Sequence, residues 1–112
     1  MSAVTTHVLD TVHGRPAVAV RVRLERRGAT TDGWELVAEA STDDDGRVRD
    51  LGPDRLEPGT YRLHFDTGAW FSARGVPAYY PEVSVAFAVT DAGHHHVPLL
   101  LAPFTYSTYR GS

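Results

Sequence analysis

Residues 17–26 read AVAVRVRLER: Val18, Val20, Val22 and Leu24 fall on one face of an extended chain, and Arg21, Arg23 and Glu25 on the other. Because successive side chains alternate across a strand, this is a strand with one buried and one solvated face. The same period of two returns along the chain. Trp34, Leu36, Ala38 and Ala40 alternate with Glu35, Glu39 and Ser41, and Tyr61, Leu63 and Phe65 alternate with Arg62, His64 and Asp66. Val83, Val85, Phe87 and Val89 alternate with Ser84, Ala86 and Ala88. Between these runs lie turn signals: residues 28–33, bounded by glycines, the acidic Thr42-Asp43-Asp44-Asp45-Gly46, and a Pro/Gly-rich loop over 52–59. Arg47 therefore opens a short strand directly after a tight turn. Residues 67–74 are the one plausible helix, with Asp66 or Thr67 able to cap its start and Gly75 its end. At about two turns it is too short to stand alone, so Trp70 and Phe71 must dock it on a sheet. Seven or eight short strands with one helix predict an all-β, antiparallel β-sandwich in a single domain over residues 1–112.

Composition narrows the function. The chain has 112 residues, 42% of them hydrophobic and 22% charged, and no apolar run long enough to span a membrane. Its formal net charge is -3 and its arginines are scattered, which gives no basic stripe for nucleic acid. The absence of cysteine excludes disulfides, thiolate metal sites and a cysteine nucleophile. No basic start followed by an apolar segment is visible at the N-terminus, so a cytoplasmic location is the expectation.

The polar residues concentrate in residues 94–112, which begin with three histidines and end Tyr109-Arg110-Gly111-Ser112. Two strands are expected here, over 94–101 and 104–109. In the first, Val97, Leu99 and Leu101 share one face, while His94, His96, Pro98 and Leu100 share the other. The second face is too apolar to be solvated, which predicts that another subunit covers it. In the run 5–10 (TTHVLD), Val8 faces the core and His7 faces outward. His94, His96 and His7 suit zinc by ligand type, but no carboxylate accompanies them at diagnostic spacing. We expect no metal and no cofactor. His13, His64 and His95 are expected to be half-exposed surface residues. Imidazole as a group changes charge near neutral pH, so His7 and His96 suit a general base. Arg47 and Arg110, if they converge with these histidines, make a fork for a planar anion and an oxyanion, with Tyr109 and Ser112 as hydroxyl partners. No Gly-x-Ser-x-Gly elbow and no phosphate-binding glycine loop is present.

Five stretches carry a resemblance: Thr6-His7-Val8-Leu9-Asp10-Thr11, Gly14-Arg15-Pro16-Ala17, Asp45-Gly46-Arg47, His96-Val97-Pro98-Leu99-Leu100-Leu101 and Tyr109-Arg110-Gly111-Ser112. Together they resemble the transthyretin-related 5-hydroxyisourate hydrolases of purine catabolism, over the whole chain. The resemblance implies a sandwich of two four-stranded sheets, a homotetramer with sites where dimers meet, and hydrolysis of 5-hydroxyisourate, a cyclic amide. It implies catalytic roles for His7, Arg47, His96 and Ser112, and substrate binding by Tyr109, Arg110 and Gly111. His95 stands where an aromatic residue is more usual, and Arg15 where lysine is. Two other classes remain open: a transthyretin-type carrier of a small aromatic ligand without catalysis, and an immunoglobulin-like interaction module. The polar set of two histidines and an arginine speaks against a carrier for an apolar ligand.

Overall fold

A computed structural model describes residues 2–28 and 33–112. In chain order its elements are β1 (Val4–Asp10), β2 (Arg15–Pro16), β3 (Arg21–Arg27), β4 (Trp34–Ser41), β5 (Arg47–Val48), β6 (Gly59–Phe65), α1 (Thr67–Ala73), β7 (Val83–Val89), β8 (His95–Ala102) and β9 (Thr105–Thr108). They form two sheets. One has the order β4-β3-β6-β7, and the other β2-β1-β8-β9, with β5 also paired to β1. The transthyretin-like sandwich expected from the sequence is present, with two corrections. The second sheet has five strands because the two-residue β2 and β5 lie end to end on one side of β1. It is also not wholly antiparallel, since β1 and β8 run parallel from Val4↔His95 to Asp10↔Leu101.

The strand expected over 17–26 starts only at Arg21. Ala19 adopts φ 67°, a left-handed conformation that breaks the extended run while the chain crosses from one sheet to the other. Buried Thr42 latches this crossing: its hydroxyl donates to the Ala17 carbonyl at 2.7 Å and accepts the Val20 N–H at 2.9 Å. A bulge also breaks the simple alternation of β4. Leu24 pairs with Ala38 but Glu25 pairs with Leu36, so Val37 is an extra residue and the phase reverses. Leu36 is consequently 59% exposed, and Trp34 lies on the outer face under the guanidinium groups of Arg62 and Arg27. Of the turn expected over 28–33, residues 29–32 lie outside the described residues; Gly28 N–H donates to the Gly33 carbonyl at 2.9 Å.

Between the sheets, Val22, Leu24, Tyr61, Leu63 and Phe65 meet Val4, Val8, Val97, Leu99 and Leu101, all buried. At about 1.5–3 kcal/mol for each fully buried large side chain, this layer provides the stabilisation that a chain without disulfides needs. The helix docks as expected: Trp70 Nε1 donates to the Val18 carbonyl at 2.7 Å, and Phe71 meets the Trp70 ring edge-on at 5.1 Å. Gly75 follows its end at φ 68°. Its start differs from expectation, since Asp66 occupies the N-cap position without a side-chain capping bond. No helix among the described residues is long and apolar enough to cross a membrane.

Candidate active site

Register assembles the site. In β1, Thr5 pairs with His96 and His7 with Pro98 on one side, and His7 pairs with Arg47 of β5 on the other. Directly paired residues share a face, so Thr5, His7, Arg47 and His96 come together on the outer face of the five-stranded sheet. Arg47 is delivered there by the acidic turn. The Asp43 carboxylate accepts the backbone N–H groups of Asp45 and Arg47, both at 2.9 Å, and the Arg47 N–H above all holds this carboxyl below its ordinary range. Gly46 adopts φ 75°, and a Cβ on it would lie 2.5 Å from the Val8 carbonyl oxygen. Only glycine lets the turn approach β1 this closely.

The hydrogen bonds of the two histidines define which nitrogens are available. His7 Nε2 lies 2.9 Å from the Asp45 carbonyl oxygen, which only accepts, so Nε2 carries the proton and Nδ1 presents the lone pair. On His96, Nδ1 is engaged with the Thr5 hydroxyl at 2.8 Å, leaving Nε2 as the outward nitrogen. Burial pushes the His96 pKa down, reinforced by the charges of Arg47, His7 and His94, while the Thr5 contact acts the other way. His96 is therefore a neutral imidazole at neutral pH, the form a general base requires.

Gly111 closes this site from the side. Its N–H donates to the His96 carbonyl at 2.8 Å, and a Cβ there would stand 2.6 Å from His96 Cδ2, on the ring edge that also carries Nε2. Arg110 donates to the His94 carbonyl at 3.3 Å. Tyr109 and Arg110 line a cavity of about 340 Å³ at the sandwich edge with Phe87 and His95, on the opposite side of β8 from the His7–Arg47 pair. Ser112 is exposed. A larger cavity of about 570 Å³, between α1 and the β1–β2 turn, contains none of the clustered groups, so chemistry and not volume locates the site.

Two histidines depart from expectation. His95 points inward and is 5% exposed, its ring 5.8 Å from Phe87 and its Nε2 without a hydrogen-bond partner among the described residues. Burial lowers its pKa, with Arg110 adding to the shift. His64 is also buried, held by Ser84 at 3.1 Å and Glu82 at 3.6 Å on the outer face of the other sheet. Among the described residues no three His, Cys, Asp or Glu side chains converge to hold a metal. Sequence reasoning passed over Thr5 and Asp43. Thr5 shares the outward face with His7, a signal available from period two, but its link to His94 and His96 depends on a parallel pairing that nothing local announces.

Comparison with known proteins bears on the chain as a whole. The chain is 45% identical over 113 residues to the 5-hydroxyisourate hydrolase of Mus musculus, covering 99% of this chain and 96% of that one. It superposes on the structure of Klebsiella pneumoniae 5-hydroxyisourate hydrolase with a TM-score of 0.89 at 38% identity, each chain fully covered. It also superposes on sea bream transthyretin in complex with thyroxine, with a TM-score of 0.91 at 30% identity over 97% of this chain and 94% of that one. The sequence pattern of the HIUase/Transthyretin family matches residues 4–111, a span that includes every strand of both sheets and the clustered histidines and arginine, and the chain belongs to that family.

Proposed function

We propose that this chain hydrolyses 5-hydroxyisourate, opening a cyclic amide to give 2-oxo-4-hydroxy-4-carboxy-5-ureidoimidazoline in the degradation of urate. The observation that carries the reading is the register that sets His7 beside Arg47, and His96 beside Thr5, on one face. Two imidazoles next to a guanidinium suit hydrolysis of an anionic ring. His7 and His96 position and deprotonate the attacking water, and Arg47 holds the substrate and the negative charge developing on its carbonyl oxygen, while Arg110 braces the end of the chain on the His94 carbonyl. Ser112 orients the ring, and Gly111 keeps the terminus against His96. Base catalysis and an oxyanion donor each contribute about 10²–10⁴ in rate. A carrier of an apolar aromatic ligand has no use for this polar set.

The enzyme is a cytoplasmic single-domain protein that works as a homotetramer, with its sites where dimers meet. Leu9 and Leu100 are half-exposed on the same face as His7, which supports coverage of this face by another copy. The test is to generate 5-hydroxyisourate with urate oxidase, add the protein, and follow the decay of the intermediate's absorbance. Decay faster than the spontaneous rate, lost in His96→Ala, is expected. Spontaneous decay in the presence of the unaltered protein would overturn the reading.

A further inference from the structure

The Thr5 hydroxyl touches two imidazoles at once: His96 Nδ1 at 2.8 Å and His94 Nε2 at 3.0 Å. A hydroxyl has one proton, so it donates to one ring and accepts from the other. If His94 Nε2 is the acceptor, the Thr5 oxygen accepts from His96 Nδ1–H, and the His96 Nε2 lone pair faces outward as a base. If His94 Nε2 carries a proton, the Thr5 hydroxyl turns to His96 Nδ1, and Nε2 must carry the His96 proton. The state of His94 thus decides which nitrogen of His96 is basic.

Resting on the hydrolase reading above, we propose that Thr5 and His94 form a proton relay that sets the reactive tautomer of His96 and carries away the proton it takes from water. Hydrolysis of a ring amide to a carboxylate and a non-basic ureide nitrogen releases one net proton near neutral pH, so a proton must leave the site in each turnover. As the water oxygen bonds to the ring carbonyl carbon and the carbonyl pair moves onto its oxygen, one water proton goes to His96 Nε2; when the ring C–N bond then breaks, the other water proton ends on the leaving nitrogen. His96 Nδ1–H passes to the Thr5 oxygen, and the Thr5 proton passes to His94 Nε2. Thr5 ends unchanged, His96 ends neutral with its proton on Nε2, and the positive charge resides on His94.

The surroundings favour this direction. His96 is half-buried and faces His7 of β1, Arg47 of β5 and His94 of its own chain segment, so a cation there meets charge from several sides. His94 is exposed and releases the proton to solvent, while Thr5, 7% exposed, keeps water from short-circuiting the link. Thr5 and His94 are positioning residues in this scheme, acting on the substrate only through His96.

The experiment combines tautomer-resolved NMR of the ¹⁵N-histidine-labelled protein with turnover. In the unaltered protein without substrate, the His96 proton sits on Nδ1 and moves to Nε2 as His94 is protonated. In Thr5→Val, which keeps the shape and removes the hydroxyl, that coupling is lost, kcat falls about tenfold or more with KM little changed, and Thr5→Ser restores both. His94→Gln separates positioning from transfer, because its amide oxygen accepts from Thr5 but takes no proton. Its His96 tautomer stays as in the unaltered protein, while its kcat falls and is rescued by added imidazole. A His96 proton resting on Nε2, an unchanged coupling in Thr5→Val, or full turnover of His94→Gln in dilute buffer would each overturn the relay. The NMR arm needs no substrate, so a failure of the relay is distinguishable from a failure of the hydrolase assignment.

Discussion

Replacing Gly111 by alanine adds one methyl group at the tightest point of the site. Its Cβ would stand 2.6 Å from His96 Cδ2 and 3.4 Å from Pro98 Cγ. Carbons in contact sit about 3.5–4.0 Å apart, so the imidazole or residues 110–112 must move by roughly 1 Å. Residues 104–110 are exposed, and the main bond holding Gly111 is its 2.8 Å hydrogen bond to the His96 carbonyl. The end of the chain therefore yields before the core does. Losing that bond costs about 0.5–1.5 kcal/mol, a shift of a few degrees in Tm. The catalytic cost is larger, because a misplacement of about 1 Å in a reacting geometry costs on the order of 10²-fold. Gly111→Ala should lose about two orders of magnitude in kcat for freshly generated 5-hydroxyisourate, with unchanged far-ultraviolet circular dichroism. An alanine variant that turns over at the original rate would refute the argument that the Gly111–His96 contact sets the position of the base.

Three further perturbations follow from the same geometry. His95→Phe fills the same space beside Phe87 without an orphaned nitrogen and should stabilise the fold by about 1–3 kcal/mol in urea titrations at pH 7. It should also flatten the acid side of the stability profile: burial depresses the folded pKa of His95, so its contribution is intact above the ordinary histidine value of 6.5 and declines as pH falls toward the folded value. Asp43→Ala removes the acceptor of the Asp45 and Arg47 N–H groups from an exposed turn, and should lower kcat/KM about tenfold with little change in the denaturation midpoint. Thr42→Val strands the buried Ala17 carbonyl and Val20 N–H, and should cost about 1–3 kcal/mol by chemical denaturation.

How much of this was legible in the chain depended on whether the cause was local. Period two located the strands because each side chain's face follows from its own position, and Gly75 ended the helix because left-handed backbone belongs to glycine. His7, Arg47 and His96 were named before their register was known, and the register sets them on one face. What stayed hidden depended on partners. The bulge that exposes Leu36 arises in the pairing of β3 with β4, not in either strand alone. His95 looked like a surface residue because the sequence could not tell which of three adjacent histidines points between the sheets, and His64 because its cover comes from Glu82 and Ser84 across the sheet. The short strand opened by Arg47 is present as β5, but β2, only two residues long, was hidden in a turn-like stretch, so the implied count of four strands per sheet fell one short.

The parallel pairing of β1 with β8 also has a kinetic side. The residues that meet there are far apart in sequence, 91 positions for Thr5 and His96. Closing so long a loop before its contacts reward it is slow, and ladders of this kind belong to high-contact-order folds. A growing chain carries His7 through the synthesis of residues 8–95 before His96 exists. Until β8 docks, one side of β1 presents unpaired N–H and C=O groups, a template for pairing with another nascent copy. Completing the site and removing that aggregation hazard are thus one folding event, so substitutions that delay β8 should lower soluble yield before they lower the activity of the molecules that fold.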